Sequence, residues 1–170
     1  MNLIITAVLL VLVTVSTRTY ACSPLDLSNA TSPELKIKDS ASVLAGKVTA
    51  IDGPAYDVYS ESSVSVIHLS ILASWKIPYG EKVSVRALLR GTDLSKQSLP
   101  IVSRRNDPCG RALRTLSVGD NIILGATQGS RYKHPNKSII YAEPYSIIDF
   151  RGLQEEEKIF GPSLPTVIQK

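Results

Sequence analysis

The chain contains two cysteines, and their positions constrain its fold more than any other feature of the sequence. Cys22 follows an apolar N-terminal stretch, and Cys109 lies in the stretch Asp107-Pro108-Cys109-Gly110. Two cysteines in an exported chain are expected to form one disulfide, which here closes a loop of nearly ninety residues. In the chain-entropy model, a loop of that length contributes roughly 4–5 kcal/mol to stability. The alternative is two free thiols, which an oxidising compartment disfavours.

Residues 1–21 are predicted to be a secretory signal peptide. The apolar run from Leu3 to Val15 is too short for a spanning helix, which needs about 20 residues. Thr19-Tyr20-Ala21 places a small residue before the expected cut, so that Cys22 becomes the first residue of the secreted protein. One alternative is a membrane anchor. Another is the acylated cysteine of a bacterial lipoprotein, which Tyr20 fits poorly.

The remaining chain is long enough for one domain with a hydrophobic core. We expect one domain over residues 22–152, followed by a short helix and a loose tail over 153–170. No second apolar stretch of spanning length follows the leader, so a secreted, extracellular and monomeric product without a membrane contact is expected. The formal net charge of +4 is mildly basic and does not by itself argue for a nucleic-acid partner.

Positive charge is concentrated in residues 100–137. This segment is interpreted as a solvated face. The alternative is a patch that binds sulfated glycosaminoglycan or an acidic protein, formed by Arg104, Arg105, Arg111 and Arg114. Two glycosylation sequons, which begin at Asn29 and Asn136, would mark exposed loops if they are used.

Alternating apolar residues and turn signals predict five strands and one or two short helices. The predicted strands cover residues 42–51, 63–75, 82–90, 121–127 and 138–150, and the helices lie near 33–40 and within 153–160. Gly46 predicts a bulge or bend, and Pro144 a bulge or an edge position. Glu155, Glu156 and Glu157 are interpreted as a solvated helix face. The expected fold is all-β, a five-stranded Greek-key barrel of the oligonucleotide/oligosaccharide-binding (OB) type.

Motifs of the common enzyme classes are absent from the sequence. It has no Gly-rich phosphate loop, no His-Glu-x-x-His and no Gly-x-Ser-x-Gly. His68 and His134 have no Cys, Asp or Glu at a metal-ligand spacing, so both are interpreted as structural. We therefore expect a protein that is not an enzyme and that carries no cofactor.

Several short motifs follow one another between residues 22 and 150. They are Cys22-Ser23, VLAGKV at 43–48, Trp75-Lys76, Cys109-Gly110-Arg111-Ala112-Leu113, VGDNIILG at 118–125, Ile139-Ile140-Tyr141 and Ile148-Asp149-Phe150. In this order and spacing the chain resembles the netrin-like domain, and within it the N-terminal domain of the tissue inhibitors of metalloproteinases.

The resemblance implies a zinc-chelating inhibitor. In that family the first cysteine is disulfide-bonded to the cysteine of the Cys-Gly motif, and its α-amino nitrogen and carbonyl oxygen chelate the catalytic zinc of a metalloproteinase. The next side chain enters the main specificity pocket. Carried over, Cys22 binds the zinc of the target protease, Ser23 is the pocket residue, and the protease-binding residues are Cys22, Ser23, Pro24, Asn106, Asp107, Pro108 and Cys109.

The chain departs from the family pattern at Pro24, where the family usually has a second cysteine. The other barrel disulfides of the family also have no counterpart in this sequence. The expected function is inhibition of a matrix-type zinc metalloproteinase. The alternative is a non-inhibitory netrin-like module, in which a Cys22–Cys109 disulfide only staples the fold and the Arg-rich segment binds glycosaminoglycan or a protein.

Overall fold

The computed structural model describes residues 33–89, 99–104, 113–127, 136 and 138–166. This part of the chain is dominated by strands, with one short helix before them and one after. The elements are, in chain order, α1 (Pro33–Asp39), β1 (Ser42–Asp57), β2 (Ser62–Trp75), β3 (Lys82–Leu88), β4 (Pro100–Val102), β5 (Leu113–Thr115), β6 (Asn121–Thr127), β7 (Ile139–Asp149) and α2 (Leu153–Phe160).

Five strands close into a ring in the order β1, β2, β3, β7, β6 and back to β1. The β3–β7 pairing is parallel, and the other four pairings of the ring are antiparallel. Counted along the chain within the ring, the strand order is 1-2-3-5-4-1, which is that of the OB barrel. The predicted fold class, an all-β five-stranded barrel with one or two short helices, is confirmed, and the structure has two.

The predicted boundaries are wrong at two places. β1 does not end at Ile51 but continues to Asp57, because the register with β2 shifts between Asp52 and Ala55 and so accommodates Gly53-Pro54. β4 and β5 lie outside the five predicted strands. They pair with each other, and Val102 of β4 pairs with Ile148 of β7.

Both predicted irregularities of the strands are confirmed. At Gly46 the register between β1 and β2 shifts, and a Cβ there would meet the Ser70 carbonyl oxygen at 3.0 Å. In β7, Ala142 pairs with Ala126 of β6 and Ile147 pairs with Leu124, so five steps along β7 correspond to two along β6. The extra residues of β7 form a bulge that contains Pro144. A bulge tolerates proline because no ladder N–H is required there.

The core has two main layers. Aliphatic side chains of all five ring strands fill the barrel, among them Leu44, Ile67, Val85, Leu124 and Ile140. A second cluster lies outside the barrel, between the sheet and the helices, and contains Ile37, Val43, Trp75, Ile123, Ile148 and, at its edge, Phe160. This outer layer joins α1 and α2 to the strands that carry the candidate site.

The chain after α2 is docked on the barrel, so the expectation of a loose tail is wrong for its described residues. The Trp75 indole nitrogen donates to the Gly161 carbonyl oxygen at 2.7 Å, and its ring packs on Phe160 with centroids 5.6 Å apart. Leu164 N–H donates to the Ser74 carbonyl oxygen at 2.7 Å. In the described part of the chain, no helix is long and apolar enough to cross a membrane.

Candidate functional site

The strands β4 and β5 form the base of a hairpin that leads to Cys109. Val102 pairs with Leu113, and Leu116 N–H donates to the Leu99 carbonyl oxygen at 2.9 Å. We call β4, β5 and the residues between them the cysteine hairpin. Its residues 105–112 lie outside the described part of the chain, and with them the predicted contact residues Asn106, Asp107, Pro108 and Cys109. The structure thus fixes the points at which this segment leaves and rejoins the barrel.

The carboxylate of Asp149 binds both flanks of the cysteine hairpin, which are the described residues on either side of 105–112: Arg104 on the first flank and Arg114 on the second. Asp149, the last residue of β7, accepts the Arg104 backbone N–H on Oδ2 at 3.2 Å. Its Oδ1 accepts Arg114 Nε at 3.0 Å and also Arg114 Nη2. Burial by itself would raise the pKa of Asp149, but hydrogen bonds from Arg114, Ser103 and the Arg104 N–H lower it below the ordinary value. The carboxylate is therefore ionised at neutral pH.

Arg114 is held from its other side by Asp120. Its Nη1 donates to Asp120 Oδ2 at 2.6 Å, and the same oxygen accepts the Ser117 N–H at 2.8 Å. Burial alone would lower the pKa of Arg114, but hydrogen bonds to Asp120 and Asp149 raise it. The turn that contains Asp120 is tied to β1, because Val48 N–H donates to the Asp120 carbonyl oxygen at 2.8 Å. The second flank of the hairpin is thereby connected to the barrel wall.

The first flank is held by a buried ion pair. Arg104 is 5% exposed, and its Nη1 donates to Glu156 Oε1 at 2.7 Å. Glu156 lies on α2, is fully buried, and also accepts the Arg151 N–H at 3.1 Å. A buried charge is tolerated when it is paired and hydrogen-bonded. Together Arg104, Arg114, Asp120, Asp149 and Glu156 form what we call the hairpin base.

Two interpretations of charged residues must be corrected. Glu156 is not part of a solvated face, because it is buried against Arg104. Arg104 does not belong to an exposed polyanion patch, for the same reason, and the charge of Arg114 is balanced by two carboxylates. Arg105 and Arg111, the other members of the predicted patch, lie outside the described residues.

A cleft of about 280 Å³ opens beside the hairpin base. Its charged side chains are those of the hairpin base other than Glu156, together with Arg151, whose Nη2 donates to the Arg104 carbonyl oxygen at 2.6 Å. The residues that line it are Arg104, Arg114, Gly119, Asp120, Asn121, Asp149, Phe150 and Arg151. Because two carboxylates line it together with three arginines, the cleft is not a dedicated anion site.

The N-terminal side of the described chain meets the hairpin base at α1. Glu34 Oε1 lies 3.6 Å from Arg104 Nε. α1 packs against β6 at Gly125, where a Cβ would lie 3.1 Å from the Ile37 Cα, so glycine permits the close approach. The predicted protease-binding residues Cys22, Ser23 and Pro24 precede α1 and, with the sequon at Asn29, lie outside the described residues.

A row of three polar side chains lies on the outer wall of β1, β2 and β3, with His68 between Asp52 and Ser84. The His68 Nε2 lies 2.9 Å from Asp52 Oδ2, and its Nδ1 lies 3.1 Å from Ser84 Oγ. The three residue types are those of a hydrolase triad, but the Ser84 N–H donates to the Ser138 carbonyl oxygen and so cannot serve as an oxyanion donor. We retain the interpretation of His68 as structural. His134 lies outside the described residues.

A second polar network holds the tip of the β1–β2 hairpin. Asp57 is fully buried, accepts the Tyr141 hydroxyl at 2.9 Å and the Ser60 N–H at 2.9 Å, and pairs with Arg86. The neighbouring apolar side chains face solvent, with Tyr56 68% and Val58 72% exposed. We call residues 56–60 the β1–β2 tip. It is a rigid turn that presents apolar surface.

Sequence analysis did not identify Asp149, Asp120 or Glu156 as site residues. One usable signal is present: the Arg-rich segment 100–114 and the carboxylates of 149–157 are local charge concentrations of opposite sign. Among the described residues, no group of three His, Cys, Asp or Glu side chains is arranged to hold a metal ion.

Comparison of the sequence with protein-family models and with curated protein sequences finds no match. Function is therefore inferred from the fold, from the hairpin base and from the motifs of the chain itself.

Proposed function

We propose that the chain is a secreted inhibitor of matrix-type zinc metalloproteinases, and that Cys22 of the mature protein binds the catalytic zinc. The observation that carries this proposal is the bond of Asp149 to both flanks of the cysteine hairpin. A contact edge at Asn106–Cys109 must keep one shape to bind tightly, since ordering a mobile loop on binding lowers affinity. The hairpin base supports the proposal because it holds the described residues on both sides of that edge.

The position of α1 supports the predicted Cys22–Cys109 disulfide. Glu34 and Arg104, which contact each other at 3.6 Å, each lie on the segment that leads to one of the two cysteines. Cys22 precedes Glu34 by twelve residues and Cys109 follows Arg104 by five. An extended chain spans at most about 3.3–3.6 Å per residue, so these lengths permit the two cysteines to meet.

The chemistry of the proposed contact follows from the open position of a catalytic zinc. Such a zinc keeps one site for water, which a neutral amine and a carbonyl oxygen can displace. A free α-amino group titrates near about pH 8, and binding to zinc favours its neutral form. Cys22 would supply both donor atoms, and Ser23 would enter the specificity pocket of the protease. The disulfide would hold the chelating atoms in their bound arrangement.

The experiment that tests the proposal compares two N-termini. Mature protein that begins at Cys22 and the same protein with one alanine added before Cys22 are assayed against a panel of matrix metalloproteinases. We expect inhibition by the first and none by the second, since the extension converts the α-amine to an amide. Equal inactivity, with the disulfide established by mass, would contradict the proposal. Equal activity would mean that inhibition does not require a free N-terminus.

The β1–β2 tip favours a second candidate function, a binding module for a protein partner. Tyrosines at the surface of a rigid turn bury apolar area at little cost in conformational entropy. Binding of glycosaminoglycan is less favoured, because Arg104 is buried and Arg114 is paired. The double variant Tyr56→Ser, Tyr59→Ser separates the two functions. If the variant no longer binds a protein partner but inhibits metalloproteinases as the wild type does, the β1–β2 tip serves binding and not inhibition.

A further inference from the structure

We infer that Asn136 is a site of N-linked glycosylation, with a lipid-linked oligosaccharide as the glycosyl donor. The inference rests on the secretion that the proposed function requires. Asn136 is the first residue of the triplet Asn136-Lys137-Ser138, and it is exposed. A sequon is used only where the asparagine lies on the surface of a secreted chain. The sequence provides the motif, and the structure adds that Asn136 is exposed.

The geometry of the triplet supports the assignment. Asn136 Oδ1 accepts the Ser138 N–H at 2.9 Å, which is the hydrogen bond of an Asx turn. This turn places the carboxamide beside Ser138, the hydroxyl-bearing residue of the triplet. The turn uses Oδ1, whereas the sugar attaches to Nδ2, so the hydrogen bond can persist in the modified protein.

The chemical step is a glycosyl transfer. The Asn136 Nδ2 attacks the anomeric carbon of an oligosaccharide carried on a lipid diphosphate. A carbon–nitrogen bond forms, the bond between the anomeric carbon and the phosphate oxygen breaks, and the lipid diphosphate leaves with the electron pair. One amide proton passes to a base of the transferase. No oxidant or reductant is needed.

The position of Asn136 keeps a glycan away from the cysteine hairpin. The Ser138 carbonyl oxygen accepts the Ser84 N–H at 3.0 Å, so the triplet stands beside β3 and just before β7. Asp149 ends β7, ten residues after its start at Ile139. A strand of that length extends up to about 33 Å at 3.3 Å per residue, less where it bulges. The glycan would therefore cover the outer wall near Ser84 and leave the proposed inhibitory edge open.

The test uses the full chain, expressed in cultured animal cells with its own leader, and residues 22–170 expressed behind an established secretory leader. Occupancy is measured by peptide mass spectrometry after enzymatic removal of the glycan, which converts the modified asparagine to aspartate. We expect a modified Asn136, complete loss of the modification in Asn136→Gln and Ser138→Ala, and its retention in Ser138→Thr. The matched control Asn29→Gln should keep the glycan on Asn136.

Secreted protein in which the Asn136 peptide is unmodified would overturn the inference, and so would a glycan confined to Asn29. The second leader separates this failure from failure of the proposed function. If only the chain with the established leader is exported, and Asn136 is modified in it, the glycosylation site is supported and the prediction of a secretory signal at residues 1–21 is wrong. Glycosylated protein and Asn136→Gln should inhibit a metalloproteinase within about twofold of each other, because the glycan lies away from the hairpin base.

Discussion

Replacement of Asp149 by asparagine tests whether the hairpin base controls the shape of the cysteine hairpin. Asparagine preserves the size of the side chain but removes its charge and one of its two acceptor oxygens. Arg114 would keep Asp120 as a partner, whereas the Arg104 N–H and Arg114 could no longer both be bound as they are now. The substitution therefore loosens the flanks of the hairpin while the barrel core is unchanged.

The expected loss of stability follows from the contacts of this carboxylate. A hydrogen bond to a charged group contributes roughly 1.5–3 kcal/mol, and asparagine retains part of the set. The side chain of Asp149 is 13% exposed and that of Arg114 29% exposed, so solvent compensates for some of what is lost. We expect the free energy of unfolding to fall by about 2 kcal/mol. Inhibition of the metalloproteinase should fall more than tenfold, because the contact edge must be ordered on binding.

The assay is urea unfolding combined with inhibition kinetics, with Asp39→Asn as the matched control. Asp39 is an exposed aspartate on α1, so the same chemical change there should alter neither quantity beyond error. A lower midpoint with an unchanged slope reports lost stability rather than a changed unfolded state. If Asp149→Asn is as stable and as inhibitory as the control, the hairpin base does not position the hairpin.

The pH dependence of the same pair of proteins gives an independent check. The pKa of Asp149 is lower in the folded protein, so its ionised form contributes stability above the unfolded pKa of about 3.9. That contribution is lost as the pH falls through the lower, folded pKa. The stability difference between wild type and Asp149→Asn should be constant from pH 5 to neutral and shrink below about pH 4. A difference that persists unchanged in strong acid would show that the ionised carboxylate is not its source.

Three further substitutions probe the elements around the site. Glu156→Gln should lower the free energy of unfolding by about 3 kcal/mol in thermal or urea unfolding, since it removes the carboxylate bound to Nη1 of the buried Arg104 and leaves Glu34 at 3.6 Å from Nε; no loss would contradict the buried pair. Trp75→Phe removes a buried donor and should cost about 1–3 kcal/mol, and should weaken proteolytic protection of the chain after α2. Tyr141→Phe should cost about 1 kcal/mol by removing a hydrogen bond to Asp57, with inhibition unchanged; reduced inhibition would indicate that the β1–β2 tip takes part in it.

The barrel was predictable because its strands carry strong local signals. β3 alternates apolar and polar residues, and β6 is a short apolar run after a Gly-Asp turn, so both were placed within two residues of their observed bounds. β4 and β5 have three residues each, too few for a period to be recognised. Their strand conformation comes from pairing with each other and with β7, which is long-range information.

The hairpin base was not predictable for a related physical reason. Arg104 and Asp149 are separated by 45 positions, and Arg104 and Glu156 by 52. A pattern along the chain reports which face of an element is polar, but it does not report which distant charge a polar residue meets. The run of three glutamates on α2 therefore predicted a solvated face, whereas its central member is buried against an arginine.

Charge pairing at the hairpin base can replace some of the covalent bonds that the resembled family uses. The sequence has two cysteines, so the proposed Cys22–Cys109 disulfide would stand alone where the family pattern has several. A disulfide restrains the unfolded chain, whereas Asp149 and Glu156 restrain local geometry in the folded state through Arg104 and Arg114. Restraint by ion pairs depends on the ionisation of the carboxylates, and restraint by a disulfide does not. The contacts of Asp149 with Arg104 and Arg114 should therefore be lost in acid before the barrel unfolds, because the barrel core is apolar and contains no carboxylate of the hairpin base.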